Sequence, residues 1–254
     1  MAIATAPLAL ERPLSARSVM ASLLLGRTPP EATARDLVRW CALFGVSEGT
    51  ARVALHRMVA KGELIGSDGS YRLSGRLERR RGEQEESLEP RTRAWEGLWI
   101  TAVLTGERSG PRDRAQRRDR LRRGRYAELR EGIWIRPDNL ERPVLTGVQW
   151  WRATPEAEPV PLAARLFRLR AWQRRGVQLL ERVERATAAL AHGDDGLVAD
   201  AFVTGALTLR HIHSDPLLPK PLLPREWPAT ELRDAYGVFQ RAFGAAAAAW
   251  FRRA

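Results

Sequence analysis

The chain has 254 residues, of which 44% are hydrophobic and 28% are charged. This composition excludes collagen-like and wholly disordered proteins, and the length suits two or three domains. Cys41 is the single cysteine, which excludes a disulfide framework and a zinc site built on several thiolates. The net charge is +12, and all but two of the 42 basic residues are arginines. This surplus favours a polyanionic partner, nucleic acid above all, although base composition of the genome and solubility account for part of it.

Neither end of the chain has the pattern of an export or membrane signal. Met1–Leu10 is apolar, but it lacks the basic region with which a secretory signal starts, and Glu11 interrupts it early. The most hydrophobic tract, Ala242–Trp250, is too short to cross a bilayer. We therefore expect a cytoplasmic protein without membrane association. We also expect Cys41, at a helical core position, to act as a small hydrophobic residue rather than as a redox sensor.

Residues 12–75 predict a winged helix-turn-helix domain. Apolar residues recur at helical spacing over 16–24. The hydroxyl groups of Thr33 and Ser47 are placed to cap two further short helices. Two strand-like pieces then flank a turn-rich tip at 66–70, which predicts a β-hairpin. Three helices followed by a hairpin form the pattern of this DNA-binding fold.

The helix after Ser47 has two contrasting faces. The predicted buried face comprises Ala51, Ala54, Leu55, Met58 and Val59. The opposite face has small residues and hydrogen-bonding side chains, which suit close approach to base edges in a major groove. We predict that Ser47, Thr50 and the hairpin's Arg72 contact phosphates, that Arg52, His56 and Arg57 read bases, and that Gly49 and Val53 allow the close approach. An ordinary amphipathic surface helix is the alternative, but that would favour long Lys and Glu side chains on this face.

Residues 76–93 are rich in Arg, Glu and Gln, which predicts a charged linker. For residues 94–175 we predict a small α+β sandwich, with one basic helix and four strands at Trp95–Leu104, Gly132–Ile135, Gly147–Trp151 and Ala164–Leu169. The helix, Arg112–Arg125, lies in a stretch with nine arginines and three acidic residues. Three roles fit this arginine stripe: contact with DNA, with an anionic ligand or with a partner subunit. The sequence does not distinguish among these roles.

Residues 176–254 predict a helical C-terminal domain. Helical periodicity covers 177–191, ended by Gly193, and recurs over 197–210 and 230–250. Five prolines from Pro216 to Pro228 hold an extended strap. Its apolar residues are too many for a solvated loop, so we expect burial against the C-terminal helices of Leu217, Leu218, Leu222, Leu223 and Trp227.

Four segments resemble the PaaX family, which contains the phenylacetic-acid catabolism repressors. They are Phe44–Gly49, Tyr71–Leu73, Glu131–Trp134 and the strap Asp215–Pro228. The match covers nearly the whole chain, and the strap is its most distinctive piece. The resemblance implies an α+β protein of three parts: an N-terminal winged helix-turn-helix, a central ferredoxin-like (Cas2-like) domain and a C-terminal helical domain.

The same resemblance implies a homodimeric bacterial repressor that is not an enzyme. The inducer of the family's named member is phenylacetyl-coenzyme A, but this chain has Arg210–His213 where the family often has a Tyr-Arg pair, so its own inducer stays open. We expect binding to palindromic operator DNA, control of an aromatic-acid or related catabolic pathway, and release by an acyl-CoA-type effector, without a cofactor. The expected effector pocket lies between the middle and C-terminal domains, with candidate contacts Trp99, Arg122, Trp134, Arg210 and His213.

Three other functions are less consistent with the sequence. A Cas2-like nuclease needs carboxylates to hold Mg²⁺, and the first central strand ends in Val103–Gly106 without an aspartate. A metal-responsive regulator would use His211, His213 and His192. A strand would point the side chains of His211 and His213 to one side, and Asp215 is near. The absence of a cysteine partner disfavours such a regulator. A constitutive architectural DNA binder would leave the C-terminal helices without a function.

Overall fold

The computed structural model describes residues 14–27, 29–105, 110–192 and 197–253. The chain is mixed α and β, with helical regions toward both ends. It divides into two compact units. Unit 1 contains the residues up to Leu88, Val177–His213 and the residues from Thr230 onward, and unit 2 contains Glu89–Gly176 and Ser214–Ala229. The expectations for Met1–Leu10, Gly106 and Gly193 lie outside the described residues.

The described residues form nine α-helices and seven strands. The helices are α1 (Ala16–Gly26), α2 (Ala34–Ala42), α3 (Glu48–Ala60), α4 (Gly75–Leu88), α5 (Pro111–Arg123), α6 (Pro159–Phe167), α7 (Leu169–Ala191), α8 (Val198–His213) and α9 (Ala229–Arg253). The strands are β1 (Glu31–Thr33), β2 (Leu64–Ser67), β3 (Ser70–Leu73), β4 (Trp99–Leu104), β5 (Ala127–Arg130), β6 (Ile133–Pro137) and β7 (Val148–Ala153). A short 3-10 helix covers Lys220–Leu222 in the strap.

The N-terminal part of unit 1 combines α1, α2 and α3 with an antiparallel sheet of order β1-β3-β2. The predicted helix caps are confirmed: Thr33 Oγ1 accepts the Asp36 N–H at 3.1 Å, and Ser47 Oγ accepts the Thr50 N–H at 3.3 Å. The hairpin is also confirmed, with Asp68 and Gly69 at positive φ in its turn. Strand β1 was not predicted, because three residues are too few to show a period of two.

The core of unit 1 continues from α2 into the C-terminal helices. Trp40 is fully buried, and its ring lies 5.5–6.1 Å from five aromatic rings, which belong to Phe44, Phe202, Phe243, Trp250 and Phe251. The segment predicted as a charged linker forms α4 up to Leu88, and its Leu77 is buried in the same core. The sequence missed this because two leucines, Leu77 and Leu88, eleven residues apart in a run of charges give only a weak periodic signal.

Helices α8 and α9 approach closely at Gly205. A Cβ added there would lie 2.6 Å from Cε1 of Phe239, closer than side chains tolerate. We expect Gly205→Ala to destabilise the chain by about 1–3 kcal/mol through overpacking, although alanine is intrinsically the better helix residue. Gly244→Ala in α9 is the matched control, since no described atom lies within 4 Å of its added Cβ. Urea unfolding should move in opposite directions for the two variants, and equal shifts would contradict the close approach.

Unit 2 is built on an antiparallel sheet of order β5-β6-β4-β7. Side chains alternate between its faces, so neighbouring residues of one strand enter different cores. On one face, Leu121 of α5 packs with a cluster that comprises Ile100, Ala102, Tyr126 and Trp134. On the other face, α6 and the strap pack with a cluster that comprises Trp99, Ile135, Leu162, Leu169, Leu218 and Leu222.

Two expectations for unit 2 are wrong. Residues 164–169 were predicted as a strand, but they belong to α6 and the start of α7, because Pro159 and Pro161 suit a first helical turn and Arg168 ends α6 in the left-handed conformation. The strap was predicted to pack on the C-terminal helices, but its buried leucines, Leu218 and Leu222, lie in the core of unit 2 instead. The strap follows α8 in sequence, and its apolar composition alone does not identify the surface on which it packs.

Candidate nucleic-acid interface

Helix α3 is anchored on one side and open on the other. Ala51, Leu55 and Met58 are buried in the core of unit 1. Val59, which was predicted on the buried face, is exposed, because it lies at the edge of the narrow apolar stripe. The residues predicted to contact DNA are all exposed: Ser47, Gly49, Thr50, Arg52, Val53, His56 and Arg57. The helix therefore presents the predicted polar and small-residue face to solvent.

Gly49 is the most informative residue of this face. Gly49 is the second residue of α3, and glycine has a low helix propensity. No described atom lies within 4 Å of the position that its Cβ would take, so packing within the protein does not require it. Val53, one turn on, is 51% exposed despite being apolar. Both features fit a surface that an external partner approaches closely.

The charged groups of α3 differ in their availability. Arg52 forms an ion pair with Glu48 one turn earlier, at 2.7 Å, and both side chains are largely exposed. An exposed pair of this kind contributes little to stability, so Arg52 can exchange its carboxylate partner for a phosphate or a base.

Two hydroxyl groups lie at the N-terminus of α3. Ser47 Oγ donates to Thr50 Oγ1 at 2.9 Å, which fixes both hydroxyl groups there. That end of the helix suits a phosphate.

A groove of about 530 Å³ runs between the N-terminus of α1 and α3. Its lining includes four polar residues that the sequence did not indicate as contacts: Ser15, Arg17, Lys61 and Glu63. Arg17 donates two hydrogen bonds of 2.7 Å to Glu63, and these hold the pKa of the Glu63 carboxyl below its ordinary value. Because Glu63 is occupied by Arg17, Arg57 and Lys61 supply the positive charge along the rest of the groove. Ser15 and Arg17 are far from Lys61 in the sequence and line the same groove only in the folded chain. No local sequence pattern could therefore have indicated the groove.

The hairpin places Arg72 on an exposed position of β3. Glu31 of β1 lies directly opposite Arg72 in the sheet, and Ile65 lies opposite on the other side. A cross-strand carboxylate weakens the field of the arginine without blocking its access to solvent. Arg72 thus stays a candidate phosphate contact.

Comparisons with known proteins found similarities to two family models and to a solved structure. A family model described as PaaX-like protein matches residues 15–77, and one described as PaaX-like protein C-terminal domain matches residues 167–253. Among solved structures, the uncharacterized protein Rv0674 from Mycobacterium tuberculosis is 41% identical, with a TM-score of 0.71, over 92% of this chain and 98% of that chain. No curated protein matches the sequence.

The chain belongs to the PaaX family. This family is regulatory rather than enzymatic, and membership indicates a transcriptional regulator. None of the described helices is long and apolar enough to cross a membrane.

The structure distributes the five predicted effector contacts of this PaaX-family chain over several places. Trp99 and Trp134 are buried on opposite faces of the sheet in unit 2. Arg122 lies over the Trp134 ring at 5.4 Å, so these two residues do meet. Arg210 and His213 lie on α8 of unit 1. The assignment of an effector to these residues stays a prediction.

Arg210 belongs to a crowded group of arginines in unit 1. The pKa of Arg80 on α4 lies below its ordinary value, first because of partial burial and then because of the positive charges of Arg17, Arg210 and Arg76. His213 Nδ1 and Ser87 Oγ share a hydrogen bond of 2.7 Å, which ties α8 to α4. These contacts give Arg210 an electropositive neighbourhood and give His213 a structural partner.

The strand geometry assumed for a metal site is wrong, because His211 and His213 lie on α8. Two residues apart on a helix, their side chains point about 200° apart rather than to one side. Among the described residues, no group of three His, Cys, Asp or Glu side chains is arranged to hold a metal ion.

Cys41 is buried in the core of unit 1. Burial raises the pKa of its thiol to about 11, which keeps the sulfur protonated at neutral pH. Since the thiolate is the reactive form, this position favours a packing role.

Proposed function

We propose that the chain is a repressor that binds palindromic operator DNA as a homodimer, through a winged helix-turn-helix formed by α1–α3 and the sheet β1-β3-β2. The observation that carries this proposal is the open face of α3, where Gly49, Val53, His56 and Arg57 are all exposed and a Cβ on Gly49 would meet no described atom within 4 Å. In this arrangement α3 lies in the major groove and the β2–β3 hairpin lies along the backbone. Two such helices in a dimer read an inverted repeat with half-sites about one helical turn apart.

We further propose that unit 2 contains a ferredoxin-like, Cas2-like fold. Its strands follow the order that this fold requires, all neighbours are antiparallel, and α5 connects the first two strands. The connection from β6 to β7, residues 138–147, is described throughout and contains no helix, which is a departure from the full pattern.

The proposed effector is an acyl-CoA-type molecule. It favours a dimer in which the spacing of the two α3 helices does not suit the operator, since a ligand shifts the equilibrium between two states only by binding them with different affinities.

The first test is to identify the DNA that the purified protein retains from sheared genomic fragments. We expect enrichment of a small number of fragments that share an inverted repeat. Binding to these fragments should weaken steeply with salt, because each phosphate contact contributes about 0.9 to the log–log slope. Retention without sequence enrichment, or affinity that does not change with salt, would contradict the proposal.

Substitutions on α3 and on the hairpin should separate two kinds of contact. We expect Arg52→Ala and His56→Ala to lower the preference for the operator by about 1–3 kcal/mol, because each removes a base contact. Arg72→Ala should instead weaken all sequences alike, and Arg174→Ala, an exposed arginine of unit 2, should change neither quantity. Competition binding with operator and scrambled duplexes measures both effects. Full specificity in the Arg52 and His56 variants would show that α3 does not read bases.

A further inference from the structure

Helix α5 of unit 2 carries an unusually dense positive charge. Seven of its 13 residues are arginines, against Asp113 and Asp119, and Leu121 is the one buried residue of this fully described helix. Like charges at three- and four-residue spacing destabilise a helix. A helix with so small an apolar face has little packing to offset that cost. The arrangement is costly to the free protein, so a partner that neutralises it would stabilise the helix.

Part of this charge is used within unit 2. Arg118 Nη2 donates to Glu131 Oε1 at 3.3 Å, and the Arg122 guanidinium lies over the Trp134 ring. Arg117 lies against the loop before β7, where its guanidinium is 2.9 Å from the position of a Cβ on Gly147. These three arginines flank Leu121 on the helix and cover the edge of the sheet.

The other side of α5 carries a second set, Arg112, Arg120 and Arg123, which we call the outer arginine face. At 100° per residue, Arg112 lies opposite the buried Leu121, and Arg120 and Arg123 lie to the same outward side. All three are exposed. Arg123 pairs with Asp119, and both side chains are more than half exposed, so this pair exchanges readily. Among the described residues, Arg112 and Arg120 have no carboxylate partner.

The shape of this face selects the class of partner. Three guanidinium groups spread over about 16 Å of a convex helix do not converge on one point, as a pocket for a small anion requires. They suit an extended chain of phosphates, each of which a guanidinium binds in bidentate geometry. Contacts between guanidinium groups and phosphate oxygens position a protein on the duplex and carry no sequence information.

We propose that the outer arginine face of α5 binds the phosphate backbone of duplex DNA without sequence preference. This rests on the proposed DNA binding and adds to it a second contact surface, in unit 2. The face contributes affinity and salt dependence, whereas α3 contributes sequence preference.

The test uses the full chain with Arg112, Arg120 and Arg123 all replaced by Gln, which keeps helix propensity while it removes the charge. The matched control replaces Arg165, Arg170 and Arg174 by Gln, three exposed arginines of the same unit. The probe is a mixed-sequence duplex a few helical turns long, and its dissociation constant is measured over a range of KCl concentrations. The operator, once identified, is measured in parallel.

We expect the salt slope of the α5 variant to fall by up to about 2.7, since each lost phosphate contact removes about 0.9. The ratio of operator to mixed-sequence affinity should stay unchanged, and the control variant should keep the wild-type slope. Replacing the same three residues by Lys should restore most of the slope, because the charge returns. These results together would support the proposal.

Equal slopes for the α5 variant and the control would overturn the inference while leaving the proposed function intact. A change of subunit number in sedimentation, with the DNA slope retained, would also overturn it and would assign the face to a second copy of the chain. If the wild-type protein bound neither duplex, the proposed function itself would fail. Loss of helix content in the α5 variant is detected by circular dichroism, and the Lys variant then decides the question.

Discussion

Trp40→Ala should be among the most destabilising single substitutions in unit 1, with an expected loss of about 3–5 kcal/mol in the free energy of unfolding. Trp40 is fully buried and has five aromatic neighbours, which lie just after α2, on α8 and on α9. Removing the indole leaves a cavity between helices that belong to opposite ends of the sequence. Such rings hold one another in place, so we expect limited collapse around the cavity. Denaturant unfolding followed by tryptophan-independent far-UV circular dichroism measures the loss.

Two controls make the result specific. Trp151→Ala removes a tryptophan that is 56% exposed in unit 2 and should cost little. Trp40→Phe should be milder than Trp40→Ala, because it keeps an aromatic ring and removes an indole N–H that has no hydrogen-bond partner among the described residues. A loss for Trp40→Ala no larger than that for Trp151→Ala would mean that the aromatic cluster does not form.

The Trp40 cluster joins segments that are far apart in the sequence. Because α2 shares its core with α8 and α9, we expect substitutions that disturb the buried residues of α8 or α9 to affect the packing of α2 as well.

The N-terminal architecture was predictable because its signals are local. A capping hydroxyl, an apolar residue every three or four positions and a turn-rich tip each act within a few residues, so Thr33, Ser47 and the hairpin followed from the sequence alone. The exposed face of α3 followed in the same way, since burying one stripe of a helix exposes the other.

The features that were missed depend on contacts between distant segments. The many apolar residues of the strap show that Leu222 needs to be buried, but the choice between the C-terminal helices and the sheet of unit 2 depends on shape. The same holds for the groove beside α3, where Arg17 and Lys61 meet only in the folded chain. In α6, the prolines of the first turn gave a local signal, which the apolar run after them obscured.

The strap in unit 2 supplies the second large effect that we expect. Leu222 is 2% exposed and packs in the core with Trp99, Leu162 and Leu218. Asn139 Nδ2 donates to the Leu217 carbonyl at 2.9 Å, and Trp227 stacks on Trp172 with ring centroids 4.3 Å apart. The strap is thus attached to the sheet unit on both sides of Leu222.

Leu222→Asp should cost more than about 4 kcal/mol, because it removes a packed side chain and buries a carboxylate where the surrounding cluster is apolar. Val144→Asp, at a position that is 91% exposed in the same unit, introduces the same charge and should be nearly silent. Hydrogen exchange identifies the part of the chain that responds. We expect the amides of β4 and β6 to lose protection while those of α8 keep theirs, since the leucine packs on the sheet. Loss of protection in α8 with an intact sheet would instead place the strap against the C-terminal helices, and an unfolding midpoint equal to that of Val144→Asp would show that the strap is not part of the core.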